Sequence, residues 1–313
     1  MTMHERALAA ILIVTATVFG FIALACGPDG SNVPLVRPVG DHCPVGGCKD
    51  GGIGPEDAGP ITIPDEPLEN WDTADAGILT GIFAVEATVK ARAGVEVELK
   101  QLYRLRIVQQ GTQIHQKTTL CSLKLPDVPG VATLQIPQKL QELITQKSTE
   151  TTGPYLSSDS VFGAAYTPPP FLVLLGAELA NPATDPLPTM EAGAGALDED
   201  NDSNPGVTIL ASTVTCTDYQ QLYVALRTYG TLGGTVQTQD VITGLAQIHL
   251  NQSVLGYSDP CLAVAAQIVI QVEPDAPFRA QRVGPDEDVD HNGNVSCPEI
   301  VINAPAIFPD WTN

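Results

Sequence analysis

The chain has 313 residues, 43% of them hydrophobic and 16% charged, and it contains 28 Gly and 26 Pro. This length and apolar content are sufficient for a substantial core, whereas the Gly and Pro content excludes a coiled coil or a helical array. With 15 Lys and Arg against 36 Asp and Glu, the net charge of -21 repels phosphate and excludes nucleic-acid binding as a main activity.

The N-terminus has the character of an export signal. Basic Arg6 precedes an apolar or small stretch, LAAILIVTATVFGFIALA, which runs from Leu8 to Ala25 and ends at Cys26. The segment Ala-Leu-Ala-Cys that closes it resembles the lipobox of bacterial lipoproteins, with Ala at a position where that family usually has Leu.

The lipobox resemblance implies that residues 1–25 are a cleaved signal peptide and that Cys26 becomes a diacylated N-terminal residue. The protein would then be exported and held by its lipid at the outer membrane or cell surface. An uncleaved membrane anchor and an ordinary secretory signal are the alternatives, because the apolar stretch is close to bilayer-spanning length. All three place the remaining chain outside the cytoplasm.

The cysteine count fits export. If Cys26 carries lipid, six cysteines remain, an even number suited to three disulfides in an oxidising compartment. They are Cys43, Cys48, Cys121, Cys216, Cys261 and Cys297. Two glycines between Cys43 and Cys48 permit a tight turn, so we predict that these two pair; the other four allow three pairings. A metal site of His42, Cys43 and Cys48 is the alternative, but no second ligand pair lies at zinc spacing.

Residues 26–70 are predicted to be a tether. The stretch 27–70 contains 9 Gly and 8 Pro and shows no apolar periodicity. Such a composition buries too little surface to offset the entropy of ordering, so we expect an extended, mobile segment.

A β-domain is predicted over residues 71–280. In 95–107 the odd positions are mostly apolar and the even positions mostly charged, which is typical of a strand with one buried and one wet face. Ala93-Gly94 indicates a hairpin turn to a similar run before it. The predicted strands are 83–89, 95–107, 112–125, 131–136, 171–179, 207–216, 220–229, 233–239, 243–254 and 262–273.

One short helix is predicted at 138–147, behind Pro137. Glycines or prolines separate many of the predicted strands, and two polar loops, 148–170 and 181–206, interrupt them. We therefore expect an all-β fold, an antiparallel sandwich or barrel of about ten strands. Residues 281–313 form a separate C-terminal segment.

The C-terminal segment contains a calcium-loop pattern, D-x-[DN]-x-[DN]-G-x5-E, between Asp288 and Glu299. Hard oxygen ligands at loop positions 1, 3, 5, 7, 9 and 12 suit calcium, and a glycine at position 6 makes the turn. The predicted ligands are Asp288, Asp290, Asn292, the carbonyl of Asn294, Ser296 and Glu299. The loop resembles those of EF-hand and dockerin proteins over these twelve residues. Because the residues after Glu299 look extended, we expect an isolated loop; an acidic turn without metal is the alternative.

A second acidic cluster, similar to the calcium-binding aspartate repeats of extracellular proteins, is predicted to bind calcium through Asp198, Asp200, Asp202 and Asn204. Ser203 stands where the glycine would fall, and Ile209 replaces the closing Glu. A solvated loop without metal is the alternative.

No nucleophile, P-loop, zinc-protease or dinucleotide-binding signature is found. His115 and His249 fall in strand-like runs, which favours ordinary sheet-face residues over a general base. We expect a non-enzymatic, lipid-anchored β-domain that acts as a binding or assembly module, with an envelope protein or a glycan as its partner. A lipocalin-like carrier of a small apolar ligand and an extracellular hydrolase are the alternatives.

Overall fold

The computed structural model describes residues 76–93, 95–125, 132–190 and 193–310. Within these ranges lie twelve strands: β1 (Gly81–Arg92), β2 (Glu96–Gln110), β3 (Gln113–Lys124), β4 (Ala132–Gln135), β5 (Ser148–Gly153), β6 (Ala165–Tyr166), β7 (Phe171–Leu175), β8 (Val207–Thr213), β9 (Gln220–Thr238), β10 (Val241–Tyr257), β11 (Gln271–Val272) and β12 (Asp275–Val283). The helices are α1 (Gln138–Gln146), α2 (Cys297–Ile307) and two 3-10 helices, Pro260–Ala263 and Ala265–Gln267. The predicted all-β class with a little helix is confirmed.

The strands of the described ranges form one antiparallel sheet. Its order is β4-β8-β9-β10-β12-β1-β2-β3-β5, with β11 paired to β1 and both β6 and β7 paired to β9. Strand β9 organises this arrangement, because one of its edges follows β10 and the other receives β8, β7 and β6 in succession. All of these pairings are antiparallel, so the sheet needs no crossover between parallel strands.

The sheet curls so that β5 lies beside β7. The hydroxyl of Thr149 on β5 donates to the carbonyl of Leu172 at 3.2 Å. The interior holds the main apolar core. Its largest fully buried side chains include Phe83, Leu99, Tyr103, Leu105, Tyr166 and Ile242.

The predicted β1–β2 hairpin is present, and the alternation along β2 explains its burial. Val97, Leu99 and Leu105 are buried on the core side. The opposite face was predicted to be wet, and this is wrong near Arg104, which is 3% exposed. The C-terminal segment covers that part of the sheet, where a second apolar cluster includes Leu102.

In one region the glycines were wrongly predicted to separate two strands. The segments 220–229 and 233–239 form a single strand, β9, through the glycines that were expected to separate them. A Cβ on Gly234 would lie 2.4 Å from the carbonyl oxygen of Thr243 on the paired strand. This glycine therefore permits close strand approach rather than ending the strand.

The predicted strand 262–273 is wrong over most of its length, because the chain there forms the two 3-10 helices followed by short β11. Strands β5, β6 and β12 were not predicted. The helix predicted at 138–147 is confirmed as α1, with Leu140 and Ile144 buried.

The predicted signal peptide, Cys26, the tether, His42 and the Cys43–Cys48 pair lie outside the described residues. So does Gly94 of the predicted hairpin turn. Within the described part of the chain, no helix combines the length and the apolar character that a membrane span requires.

Truncation of Leu105 to Ala tests the core assignment. Leu105 is 1% exposed on β2, whereas Leu245 on β10 is 54% exposed. We expect Leu105→Ala to lower the free energy of unfolding by about 2–5 kcal/mol. Leu245→Ala, the matched control, should change it by about 0.5 kcal/mol or less. Urea unfolding followed by circular dichroism measures both values, and equal losses would contradict the assignment.

Candidate metal centres

The C-terminal loop brings together three of the carboxylates that the sequence predicted as ligands. Asp288, Asp290 and Glu299 each place an oxygen within 4.8 Å of the others. Asp288 is 7% exposed and Glu299 is fully buried. Carboxylate oxygens at this spacing can share one hard divalent cation.

Backbone amides hold this loop in its curled shape. Asp288 accepts hydrogen bonds from the backbone N–H of Asn292 at 3.2 Å and of Gly293 at 2.8 Å. The side-chain oxygen of Asn292 accepts from the N–H of Asn294 at 2.7 Å. Gly293 has φ +84°, in the left-handed region that glycine enters without a steric penalty. The glycine thus makes the turn expected of it.

The electrostatics of Asp288 follow from these contacts. Burial alone would raise the pKa of this carboxyl, but the hydrogen bonds from the backbone of Gly293 and other donors in the loop outweigh it and lower the pKa. Asp288 is therefore held as a carboxylate, which is the form that a cation requires.

Glu299 closes the loop and begins a helix. Its Oε1 accepts from the backbone N–H of Val289 at 2.6 Å, and its Oε2 accepts from the backbone N–H of Ser296 at 2.7 Å. Ser296 and Glu299 form a capping box at the start of α2. The extended conformation expected after Glu299 is therefore wrong. The spacing Ser-x-x-Glu carried the signal for a helix, and Pro298 is tolerated because it lies in the first turn.

The C-terminal loop is fastened to the sheet from two sides. The buried Arg104 on β2 donates from Nε to the carbonyl of Val295 at 2.7 Å and from Nη2 to Oδ1 of Asn294 at 2.6 Å. A disulfide joins Cys121 on β3 to Cys297 at the first residue of α2. Beneath these contacts an apolar cluster forms from Ala84, Leu102, Cys121, Val283, Val295, Cys297, Ile300, Ala304 and Phe308.

The second disulfide joins Cys216 to Cys261. Of the three pairings that the sequence left open, the structure therefore shows Cys121 with Cys297 and Cys216 with Cys261. The first spans 176 residues of sequence and the second 45. Both disulfides join segments that are distant in sequence and become neighbours only in the folded structure.

The second acidic cluster has a backbone much like that of the C-terminal loop. Asp198 accepts from the backbone N–H of Asp202 at 3.0 Å and of Ser203 at 2.9 Å, the same offsets that Asp288 uses. Asp202 accepts from the N–H of Asn204 at 2.9 Å. Ser203 has φ +71°, so it adopts the left-handed conformation that Gly293 has in the other loop. The serine expected to weaken the pattern leaves the turn intact.

The two loops differ at their closing ends. In place of a closing glutamate, Thr208 on β8 contacts the cluster: its backbone N–H donates to Asp200 at 2.8 Å, and its hydroxyl donates to Asp202. Asp198, Asp200 and Asp202 each place an oxygen within 4.8 Å of the others. Sequence reasoning missed Thr208, because its contact depends on where β8 begins.

The two histidines considered as bases lie on the sheet surface. His115 on β3 places Nε2 2.7 Å from Oε1 of Glu150 on β5. The ring of His249 on β10 lies 6.1 Å from that of Tyr229, measured between centroids. Both positions agree with the predicted sheet-face role.

A small apolar cavity of about 60 Å³ lies between the sheet and the segment that contains the 3-10 helices. Among its lining residues are Leu123, Leu134, Ile209, Leu250 and Ile268. Sites for small organic ligands usually enclose about 300–1,000 Å³. The described residues thus enclose a packing void that is small for a carrier site.

Comparison with known proteins gives no match: no family model fits the chain, and no curated protein or solved structure shows significant similarity to it.

Replacement of Arg104 tests the fastening of the loop. Arg104→Met keeps much of the apolar stem but removes both hydrogen bonds, leaving buried acceptors on Val295 and Asn294. We expect the free energy of unfolding to fall by about 2–4 kcal/mol. Arg279→Met is the control, because Arg279 is exposed and bonds only to Gln281 among the described hydrogen bonds. Denaturant unfolding should show a change of about 0.5 kcal/mol for that control, and a similar small change for Arg104→Met would contradict the fastening.

Proposed function

We propose that this chain is an exported, lipid-anchored cell-envelope protein whose β-domain is a binding or assembly module stabilised by calcium and disulfides. One observation carries the proposal: Cys297 belongs both to the calcium-type loop and to a disulfide with Cys121 on the sheet. Calcium loops of millimolar affinity and disulfides both suit an extracellular setting, where the ion is abundant and thiols oxidise. The lipobox-like residues up to Cys26 supply the anchor.

The role of the calcium ion in this proposal is structural. Its ligands would be Asp288, Asp290, Asn292, the carbonyl of Asn294, Ser296 and Glu299, of which Ser296 at position 9 often acts through a water molecule. Bound there, the ion would neutralise converging carboxylates and hold α2 against the outer face of the sheet. The mechanism is mass action: an ion that binds only the folded chain stabilises it.

The surface near the second disulfide supports a binding role. Val214 and Val264 are 76% and 71% exposed, high values for branched apolar side chains. Val214 lies in the turn before Cys216, and Val264 lies in the segment after Cys261. The hydroxyl of Thr215 also donates to the carbonyl of Cys261 at 3.2 Å. Exposed apolar side chains on a braced surface suit contact with another envelope protein or a glycan.

Calcium should raise the melting temperature of the full chain purified in detergent. A free concentration 100 times the dissociation constant stabilises a folded protein by about 2.7 kcal/mol per site. Asp290→Asn should reduce this rise because it replaces a charged oxygen ligand by a neutral one. Asp286→Asn removes the same charge just outside the loop, on an exposed residue, and should respond like the wild type. A melting temperature that does not change up to about 10 mM calcium, well above dissociation constants of about 0.1–1 mM, would overturn the calcium part of the proposal.

Metabolic labelling with a fatty-acid analogue tests the anchor in a bacterial expression host. The wild-type chain should carry label and fractionate with membranes, because acylation at Cys26 supplies the anchor. Cys26→Ser should lose the label, whereas Cys43→Ser should keep it. An unlabelled wild-type chain in the soluble fraction, or label that persists in Cys26→Ser, would overturn the lipoprotein assignment.

A further inference from the structure

We propose that the loop from Asp198 to Thr208 is a second calcium site, marked by an oxygen atom that the protein itself leaves without a partner. Asp200 is 8% exposed, and its Oδ2 accepts from the backbone N–H of Thr208. Its Oδ1 is buried and accepts no hydrogen bond from the described residues. A buried carboxylate oxygen without a partner calls for a water molecule or an ion, since its desolvation is otherwise uncompensated.

The surroundings of this oxygen favour a cation over a water molecule. Asp198 and Asp202 place carboxylate oxygens within 4.8 Å of Asp200, so three negative charges converge. A divalent cation would offset the repulsion among these three carboxylates, which a water molecule cannot do.

The oxygen set fits calcium better than magnesium. Asp198, Asp200 and Asp202 stand at positions 1, 3 and 5 of the loop, and the carbonyl of Asn204 stands at position 7. Calcium accepts six to eight oxygens in irregular geometry and completes its shell with water, whereas magnesium demands a near-ideal octahedron. Without a bidentate glutamate at position 12, we expect weaker binding here than at the C-terminal loop.

This site would stabilise a junction of several elements. Thr208, which contacts Asp200 and Asp202, is the second residue of β8. Glu199, inside the loop, accepts from the backbone N–H of Gly176 at 2.8 Å and from the ammonium group of Lys147. Gly176 follows β7 and Lys147 follows α1. An ion at the loop would therefore hold the ends of β7 and α1 and the start of β8 in place.

Calcium titration of the full chain in detergent, by isothermal calorimetry after chelation, tests this site. The wild type should bind two equivalents and Asp200→Asn one, because an amide removes the charge and places a donor where the free oxygen lies. Asp218→Asn is the control, since it removes an equal charge from an exposed residue outside the loop, and it should bind two. Asp290→Asn should retain the equivalent at Asp200, which separates failure here from failure of the proposed function.

Terbium luminescence identifies which equivalent is lost. Tyr223 pairs with Thr208 across the sheet, and the hydroxyl of Thr208 donates to Asp202 in the loop. A terbium ion in the loop should therefore be excited through Tyr223. Tyr223→Phe should lower this emission while the calcium stoichiometry stays at two, and Asp200→Asn should abolish the same component.

Stability without ions distinguishes a metal ligand from a structural carboxylate. In chelator, Asp200→Asn should melt at or above the wild-type temperature, because it relieves repulsion and keeps an acceptor for Thr208. With calcium it should gain less than the wild type. Two equivalents in Asp200→Asn, a single wild-type equivalent that Asp290→Asn removes, or destabilisation that is equal with and without calcium would each overturn the second site.

Discussion

Repulsion among converging carboxylates is the constraint on which the account of both acidic loops depends. Two unit charges 4.8 Å apart repel by about 1 kcal/mol in bulk water and by about 3–4 kcal/mol at an effective dielectric constant of about 20. The chain gathers three such groups at each of two loops while carrying a net charge of -21. Backbone amides offset part of this repulsion, because each loop directs N–H groups at its first aspartate. Calcium would supply the remaining compensation.

Three independent kinds of contact hold the C-terminal loop against the sheet. A disulfide, a buried arginine and an apolar cluster all connect the loop and α2 to the outer face of β1, β2 and β3. These contacts fix the C-terminal part of the loop against the sheet, so ion binding would have to order only the remaining turn. Preorganisation of this kind favours affinity at a given set of ligands. The packing of the loop and α2 on these strands also explains why a stretch of sheet that was predicted to be wet is buried.

The sequence was most informative where periodicity is strong. The alternation of apolar and polar residues predicted the bounds of β1, β2 and β3 closely, because one face of each strand packs into the core. The strand predictions failed where the conformation depends on residues distant in sequence. Strand β9 continues through Gly234 because β10 approaches it closely. Residues 262–273 contain 3-10 helices and short β11 instead of one strand. The residues proposed as ligands in both loops were predicted from their spacing, because oxygens at alternate positions are local in sequence; the structure brings the carboxylates of each loop together.

Other features of the candidate sites needed the fold. Arg104, Thr208 and the pairing of Cys121 with Cys297 join residues far apart in sequence, so no local pattern reveals them. The capping box at Ser296 was readable, but the apolar residues after it resembled a strand. The unpartnered oxygen of Asp200 depends on burial by surrounding elements, which spacing alone does not specify.

Amide hydrogen exchange at the C-terminal loop tests the central claim most directly. The backbone N–H groups of Asn292, Gly293 and Asn294 donate to oxygens of the loop, so their exchange reports how firmly the loop is closed. At about 10 mM calcium, roughly ten times a millimolar dissociation constant, we expect these amides to exchange about tenfold more slowly than in chelator, with the effect extending into α2. Equal exchange rates in the two conditions would show that the loop closes without calcium and would contradict the claim.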